Sequence, residues 1–151
     1  MADRDQPRVL SLEEANGLVP RLTTELSRLA KLRESVAEVA RALGGPDEAV
    51  EILEHRRDAT PAQAVEAERL RGMADEIAAV VSRIHDLGGL VKDLELGLVD
   101  FYGEVDGETV FWCWQFGETE VGHWHSLSEG FSHRKPVEIH GRRSEEGRLL
   151  N

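Results

Sequence analysis

The chain of 151 residues has a single cysteine, Cys113. No disulfide can close within it, which argues against an oxidising compartment. Positive charge is also in short supply. Lys and Arg number 18 against 29 Asp and Glu, a formal net charge of −11. Phosphate backbones need clustered basic side chains, and anionic headgroups repel a surface like this one, so neither nucleic acid nor a membrane is expected as a partner. Long apolar runs are missing: none approaches the ~20 residues that span a bilayer. The opening "MADRDQPRVL" lacks the apolar stretch of a secretory signal. The expected location is therefore cytoplasmic. Also absent are a glycine-rich phosphate loop, a nucleophile elbow, and the CxxC or HExxH spacings that identify metal sites from sequence.

What is present is helical periodicity and then strand periodicity. "SLEEA" opens the first element as a capping box, with Ser11 and Glu14 able to satisfy each other's backbone N–H. Pro20 breaks or kinks the helix there, so Ser11 to Val19 can form a separate short turn. Beyond it Leu22, Leu29, Val36 and Leu43 recur every seven residues, with Leu26, Arg33 and Ala40 between them. That is a heptad seam with one charged member, Arg33, whose stem can pack while its head reaches solvent. "GGP" at 44–46 ends the helix, and 47–57 has the makings of a short connecting helix. Thr60-Pro61 starts a second seam through Leu70, Met73, Ile77, Val80, Ile84 and Leu87, stopped by Gly88-Gly89. Two such helices fold back as an antiparallel hairpin. One seam leaves Leu32, Val39 and Val81 to be covered by the rest of the chain or by a second copy, so a homodimer is expected.

After Gly89 the period becomes two. Asp106-Gly107 is a hairpin turn signal, and counting outward from it pairs Val105 with Glu108, Tyr102 with Phe111, Phe101 with Trp112, Asp100 with Cys113 and Val99 with Trp114. One face carries Val99, Phe101, Trp112, Trp114 and Phe116, the expected core. The other is mixed and partly exposed: Leu98, Asp100, Tyr102, Phe111, Cys113 and Gln115. A three-residue loop, Gly117 to Thr119, then sets Trp124 opposite Trp112 and His123 opposite Cys113. Trp124 completes the aromatic core, and His123 and His125 join the polar face. A two-residue loop would reverse these faces and bury His123 among aromatics, which is costly.

In the preferred register Asp100, Cys113, His123 and His125 converge, with Glu118, Glu120 and His133 near in sequence. Thiolate, imidazole and carboxylate are the ligand set of zinc or iron. The alternatives are histidines that only hydrogen-bond, or a small enzyme in which a histidine activates Cys113. His133-Arg134-Lys135 is a local basic cluster, either solvated or able to hold a small anion. "VEIH" at 137–140 has the pattern of a last strand.

Three stretches, "LEEANGLVPRL", "GGLVKDLELGLVDF" and "VFWCWQFGETEVGHWHSLSEGFSHRKPV", resemble the small prokaryotic family catalogued as domain of unknown function 2203. The resemblance runs to about Val137. It implies a helical hairpin and then a small sheet, and it brings no activity with it. It makes His125 the typical histidine and His123 a variable one, which moves the weight of a ligand set onto Asp100, Cys113, Glu118 and His125.

The sequence thus predicts an α+β fold in one domain over 1–137. Helices at 11–43 and 60–87 form a coiled-coil-like hairpin, a three-stranded antiparallel meander occupies 97–127, and 138–151 is a flexible tail. The leading functional expectation is a non-catalytic scaffold that self-associates and offers a helical face to a protein partner. The rival is a zinc or iron site made from Asp100, Cys113, His123, His125 and Glu118.

Overall fold

A computed structural model describes residues 8–137. The fold is α+β, and its described residues divide into two compact units: Arg21–Leu87, and residues 8–20 together with 88–137.

The helical unit contains α2 (Val19–Ala42), α3 (Pro46–Leu53) and α4 (Ala64–Asp86). The long helices run antiparallel. Glu25 accepts from Arg83 Nε at 3.0 Å and Nη2 at 2.9 Å, while near the other ends Gln63 Nε2 lies 3.4 Å from the Leu43 carbonyl. Gly44 and Gly45, at φ +106° and +130°, turn the chain into α3, and Pro46 fills its first position. The expected connecting helix exists and does more than connect. Val39, Ala40, Leu43, Ala49, Ile52, Ala67 and Leu70 form one buried cluster. Val39, outside the expected seam, is therefore covered by this chain's own α3. The strict heptad does not hold: Leu22, Leu26 and Leu29 are buried, Arg33 is exposed and Val36 half-buried. A third helix beside α2 draws the buried stripe sideways, as a straight helix with 3.6 residues per turn allows.

The helical element expected over 11–43 is two helices, the first being the separate short turn before Pro20 that the sequence allows. α1 (Leu12–Gly17) carries the capping box, with Glu14 N donating to Ser11 Oγ at 3.0 Å and Ser11 N to Glu14 Oε1 at 2.8 Å. Pro20 sits in the first turn of α2, where a missing N–H costs nothing. The element expected at 60–87 likewise starts as a 3-10 turn, Pro61–Gln63, before α4.

The second unit joins α1 to an antiparallel sheet in the order β1 (Leu90–Asp93), β2 (Leu98–Val105), β3 (Glu108–Gln115), β4 (His123–Ser126), β5 (Lys135–Pro136). The expected three strands are five among the described residues. β1 carries an irregularity between Val91 and Asp93, and β5 has two residues, one of them proline, so neither shows period two. Asp106 and Gly107 both have positive φ, +52° and +82°, as a tight hairpin turn requires. The β2–β3 register is the one counted from that turn. Trp112 pairs with Trp124 and Cys113 with His123. The ladder stops there, so the connection runs from 116 to 122 rather than over three residues.

Val99, Phe101, Val110, Trp112 and Trp114 form the buried aromatic face. Trp112 Nε1 donates to the Leu10 carbonyl at 2.8 Å, and Leu10 N donates to the Tyr102 carbonyl at 2.9 Å. Two expected core members differ. Phe116 lies past the end of β3 and is 37 % exposed. Trp124 is only half-buried, on a strand near the sheet edge, with Lys135 Nζ 4.6 Å from its ring centroid. Of the "VEIH" strand, Val137 N donates to the Gly122 carbonyl at 2.8 Å. The rest of it, and the 138–151 tail, lie outside the described residues.

Candidate metal centre

The second face of the sheet is partly exposed only at Tyr102 and Gln115, both half-buried, and is closed at its centre. Leu98, Asp100, Phe111, Cys113 and His125 are all buried. The cover comes from the segment after β4. Residues 127–134, with a 3-10 turn at Phe131–His133, bring Glu129, Gly130 and Phe131 beside Leu98, Asp100, Cys113 and His125. They are anchored by Arg134, whose Nη1 and Nη2 donate to Glu118 Oε1 at 3.2 Å and Oε2 at 2.7 Å. From the other side Lys92 reaches over Phe111, its Nζ 4.3 Å from the ring centroid.

Beneath that cover three side chains from three strands meet. Asp100 on β2 pairs in register with Cys113 on β3, and His125 on β4 is two residues along from Cys113's own partner, His123. One ligand atom from each of the three lies within 4.8 Å of the others. His125 Nε2 is 3.0 Å from Asp100 Oδ2, and His125 Nδ1 is 2.8 Å from the Ser126 carbonyl. A carbonyl can only accept, so Nδ1 carries a proton and donates it. The ring is thereby oriented with Nε2 toward Asp100 and Cys113.

Both acidic members are held toward their protonated forms. Burial is the main cause for Asp100 and pushes its pKa above the ordinary value, outweighing the nearby His125 and Lys92. Burial, and after it the Asp100 charge, pushes the Cys113 thiol up to about 12. A thiol raised in this way is a poor nucleophile near neutral pH, which weighs against the enzyme reading built on Cys113. A bound cation would reverse this, because coordination replaces the proton on sulfur.

A cavity of about 100 Å³ opens beside the three residues, lined by Lys92, Leu98, Glu129, Gly130 and Phe131 as well as by the trio itself. Lys92 Nζ stands 4.0 Å from Asp100 Oδ2. Glu129 accepts from Ser126 N at 3.4 Å and pairs with Lys135 at 3.6 Å.

The remaining sequence candidates lie outside the trio. Glu118 is committed to Arg134 and also accepts from Gln115 N at 2.8 Å. Burial tends to raise its pKa, but Arg134, the Gln115 N–H and His123 together bring it below the ordinary 4.5. His123 stands opposite Cys113 as expected, yet its Nδ1 faces Glu118 Oε2 at 3.9 Å. Glu120 is exposed, and exposed His133 meets Ser132 Oγ through Nδ1 at 3.1 Å. The basic cluster is engaged within the fold, Arg134 with Glu118 and Lys135 with Trp124 and Glu129. Lys92, Glu129 and Phe131 are the residues that sequence reasoning missed. Lys92 lies at the β1 irregularity, and the other two in a loop whose fold-back depends on Arg134, so no local pattern marks them.

A family model described as "Uncharacterized conserved protein (DUF2203)" matches residues 8–137. No curated protein and no solved structure matches the chain. Among the described residues, no helix is long and apolar enough to cross a membrane.

Proposed function

Since the chain belongs to the DUF2203 family, whose description names no activity, we propose a function from the site itself: this is a metal-binding protein whose Asp100, Cys113 and His125 hold one zinc-type divalent cation. The observation that carries this reading is the convergence of a carboxylate, a thiol and an imidazole from three strands, all buried, with ligand atoms within 4.8 Å of one another. Two further features support it. Metal-ligating histidines are oriented by an N–H given to a carbonyl or carboxylate, and His125 gives one to the Ser126 carbonyl. The charges also balance: a carboxylate, a thiolate and a neutral imidazole sum to −2, matching a dication. Mixed oxygen, sulfur and nitrogen donors suit zinc, and three protein ligands beside a cavity are the pattern of a site with an open fourth position. Iron, the other metal expected from the sequence, more often takes two histidines with one carboxylate.

Elemental analysis by plasma mass spectrometry on untagged, gently purified protein tests the reading, with Cys113→Ser and Asp100→Asn alongside. Near-stoichiometric zinc in the wild type, lost in both variants, is the expected result. A wild type that stays empty after incubation with zinc overturns it, and stoichiometric iron would replace zinc as the cation.

Self-association as a scaffolding homodimer is the second reading. It rests on half-buried Leu32 and Val81, while α3 has taken Val39 out of the argument. Sedimentation equilibrium of the full chain tests it, and a monomer at micromolar concentration sinks it.

A further inference from the structure

We infer that the cavity beside Asp100, Cys113 and His125 is the subsite for a small monoanion, a short carboxylate in the first instance, that completes the metal's coordination and pairs with Lys92. This inference rests on the metal reading and adds to it the class of the external ligand.

Size sets the first limit. A water claims about 30 Å³ in the liquid. The cavity's roughly 100 Å³ therefore holds a few waters or one ligand of a few heavy atoms, well short of the roughly 300 Å³ where drug-sized pockets begin. Its walls are mixed. Leu98, Phe131 and Gly130 supply apolar and backbone surface, and Lys92 and Glu129 supply charge.

Charge then selects the sign. Lys92 Nζ lies 4.0 Å from Asp100, and its other described contact is the Phe111 ring. Once the Asp100 and Cys113 charges are matched by a dication, the Lys92 ammonium has lost its counter-ion. The other charges nearby are already matched, Glu129 by Lys135 and Arg134 by Glu118. The loaded site therefore carries one surplus positive charge at the cavity wall. A neutral ligand leaves it unpaired, whereas a monoanion neutralises it while occupying the open position on the metal. Phe111 beneath Lys92 holds the ammonium in place without neutralising it.

Cobalt(II) makes this measurable, because its visible bands report both thiolate coordination and changes at the open position. The full chain is loaded with cobalt(II) and titrated with acetate and, separately, azide. The expected result is a thiolate-to-cobalt charge-transfer band on loading, then a saturable change in the ligand-field bands with either anion. Lys92→Met should keep the cobalt stoichiometry and the thiolate band but bind both anions about tenfold more weakly, a change of about 1.4 kcal/mol. Lys92 is 43 % exposed at its side chain, so this variant should fold. A chain that binds cobalt through its thiolate but ignores both anions overturns the inference and leaves the metal reading standing. Equal anion affinity in Lys92→Met does the same. A chain with no thiolate band overturns the metal reading and this inference with it.

Discussion

Gly103→Ala should be among the most damaging single-methyl additions in the chain, and the reason bears on the site. Gly103 pairs with Val110 on β3 and lies on the same sheet face as Trp112. A β-carbon at 103 would overlap Trp112 Nε1 and Cε2 and lie 2.7 Å from Cδ1. Unstrained carbon contacts are ~3.5–4.0 Å, so the indole would have to move by about 1 Å or more. It is not free to do so. Trp112 is 5 % exposed, and Nε1 holds the Leu10 carbonyl at 2.8 Å. Overpacking a core costs roughly 1–3 kcal/mol, and a buried donor and acceptor pulled apart add roughly 1–3 kcal/mol. The expected loss is therefore roughly 2–6 kcal/mol. Urea unfolding monitored by tryptophan fluorescence measures it, because Trp112, Trp114 and Trp124 all lie in the sheet. In a Trp112→Leu background the clash disappears, and Gly103→Ala should then cost below about 1 kcal/mol. Equal costs in the two backgrounds would refute the reasoning. The consequence for function is register. Gly103 and Trp112 lock β2 to β3, and a slip of one residue would send Asp100 and Cys113 to opposite faces.

Two further changes test the cover over the site and the edge of the sheet. Glu118→Gln should destabilise by about 2 kcal/mol at neutral pH, because it removes a partly buried, doubly bonded charge pair with Arg134. The native Glu118 pKa lies below its ordinary 4.5, so the pair's contribution is fully present above that value and is lost as pH falls through the native one. The gap between wild type and variant should close on acidification, and a gap independent of pH in urea melts would contradict this. Trp124→Ala should cost only about 1–2 kcal/mol, roughly half the value of full burial for a large apolar side chain. A loss above about 3 kcal/mol in the same assay would place Trp124 in the core after all.

The central hairpin is legible in the sequence because two independent local signals agree. Asp106-Gly107 sets the turn, and period two on either side admits one pairing. The same count puts Asp100 opposite Cys113, whereas the face of the histidines follows only from the second choice, that tryptophan rather than histidine joins the aromatic side. What the alternation cannot show is that the face of Asp100 and Cys113 is buried at its centre. Its lid is an irregular segment, and the bond that fixes the lid joins Glu118 to Arg134, 16 residues apart in a region without periodicity. For the same reason Glu118 reads as a candidate ligand: a carboxylate near a cysteine in sequence looks free until its guanidinium partner is placed. In the helical unit the heptad gives the direction of both helices. It misses α3 as core because an eight-residue amphipathic segment after Gly-Gly-Pro cannot declare what it packs on.

Burying Asp100, Cys113 and His125 together is unfavourable unless something offsets it. Without a cation, Asp100 and His125 share one proton across 3.0 Å, in surroundings that disfavour the carboxylate. Buried polar clusters of this kind are often matched or exceeded in stability by apolar side chains of the same shape, by ~1–4 kcal/mol. Asp100→Leu with His125→Phe makes that replacement. The new ring would lie close to Phe111, whose centroid is 5.5 Å from that of the present imidazole, and both polar partners leave at once, so neither is orphaned. In excess chelator the double variant should be at least as stable as the wild type. With zinc at ~100 times its dissociation constant the wild type alone gains about 2.7 kcal/mol, so the difference between the two proteins should shift by that amount in its favour. Thermal melts under the two conditions decide the matter. If the double variant is the weaker protein in chelator and in zinc alike, and zinc moves neither melt, the trio stabilises the sheet as a hydrogen-bonded network, and the metal reading falls.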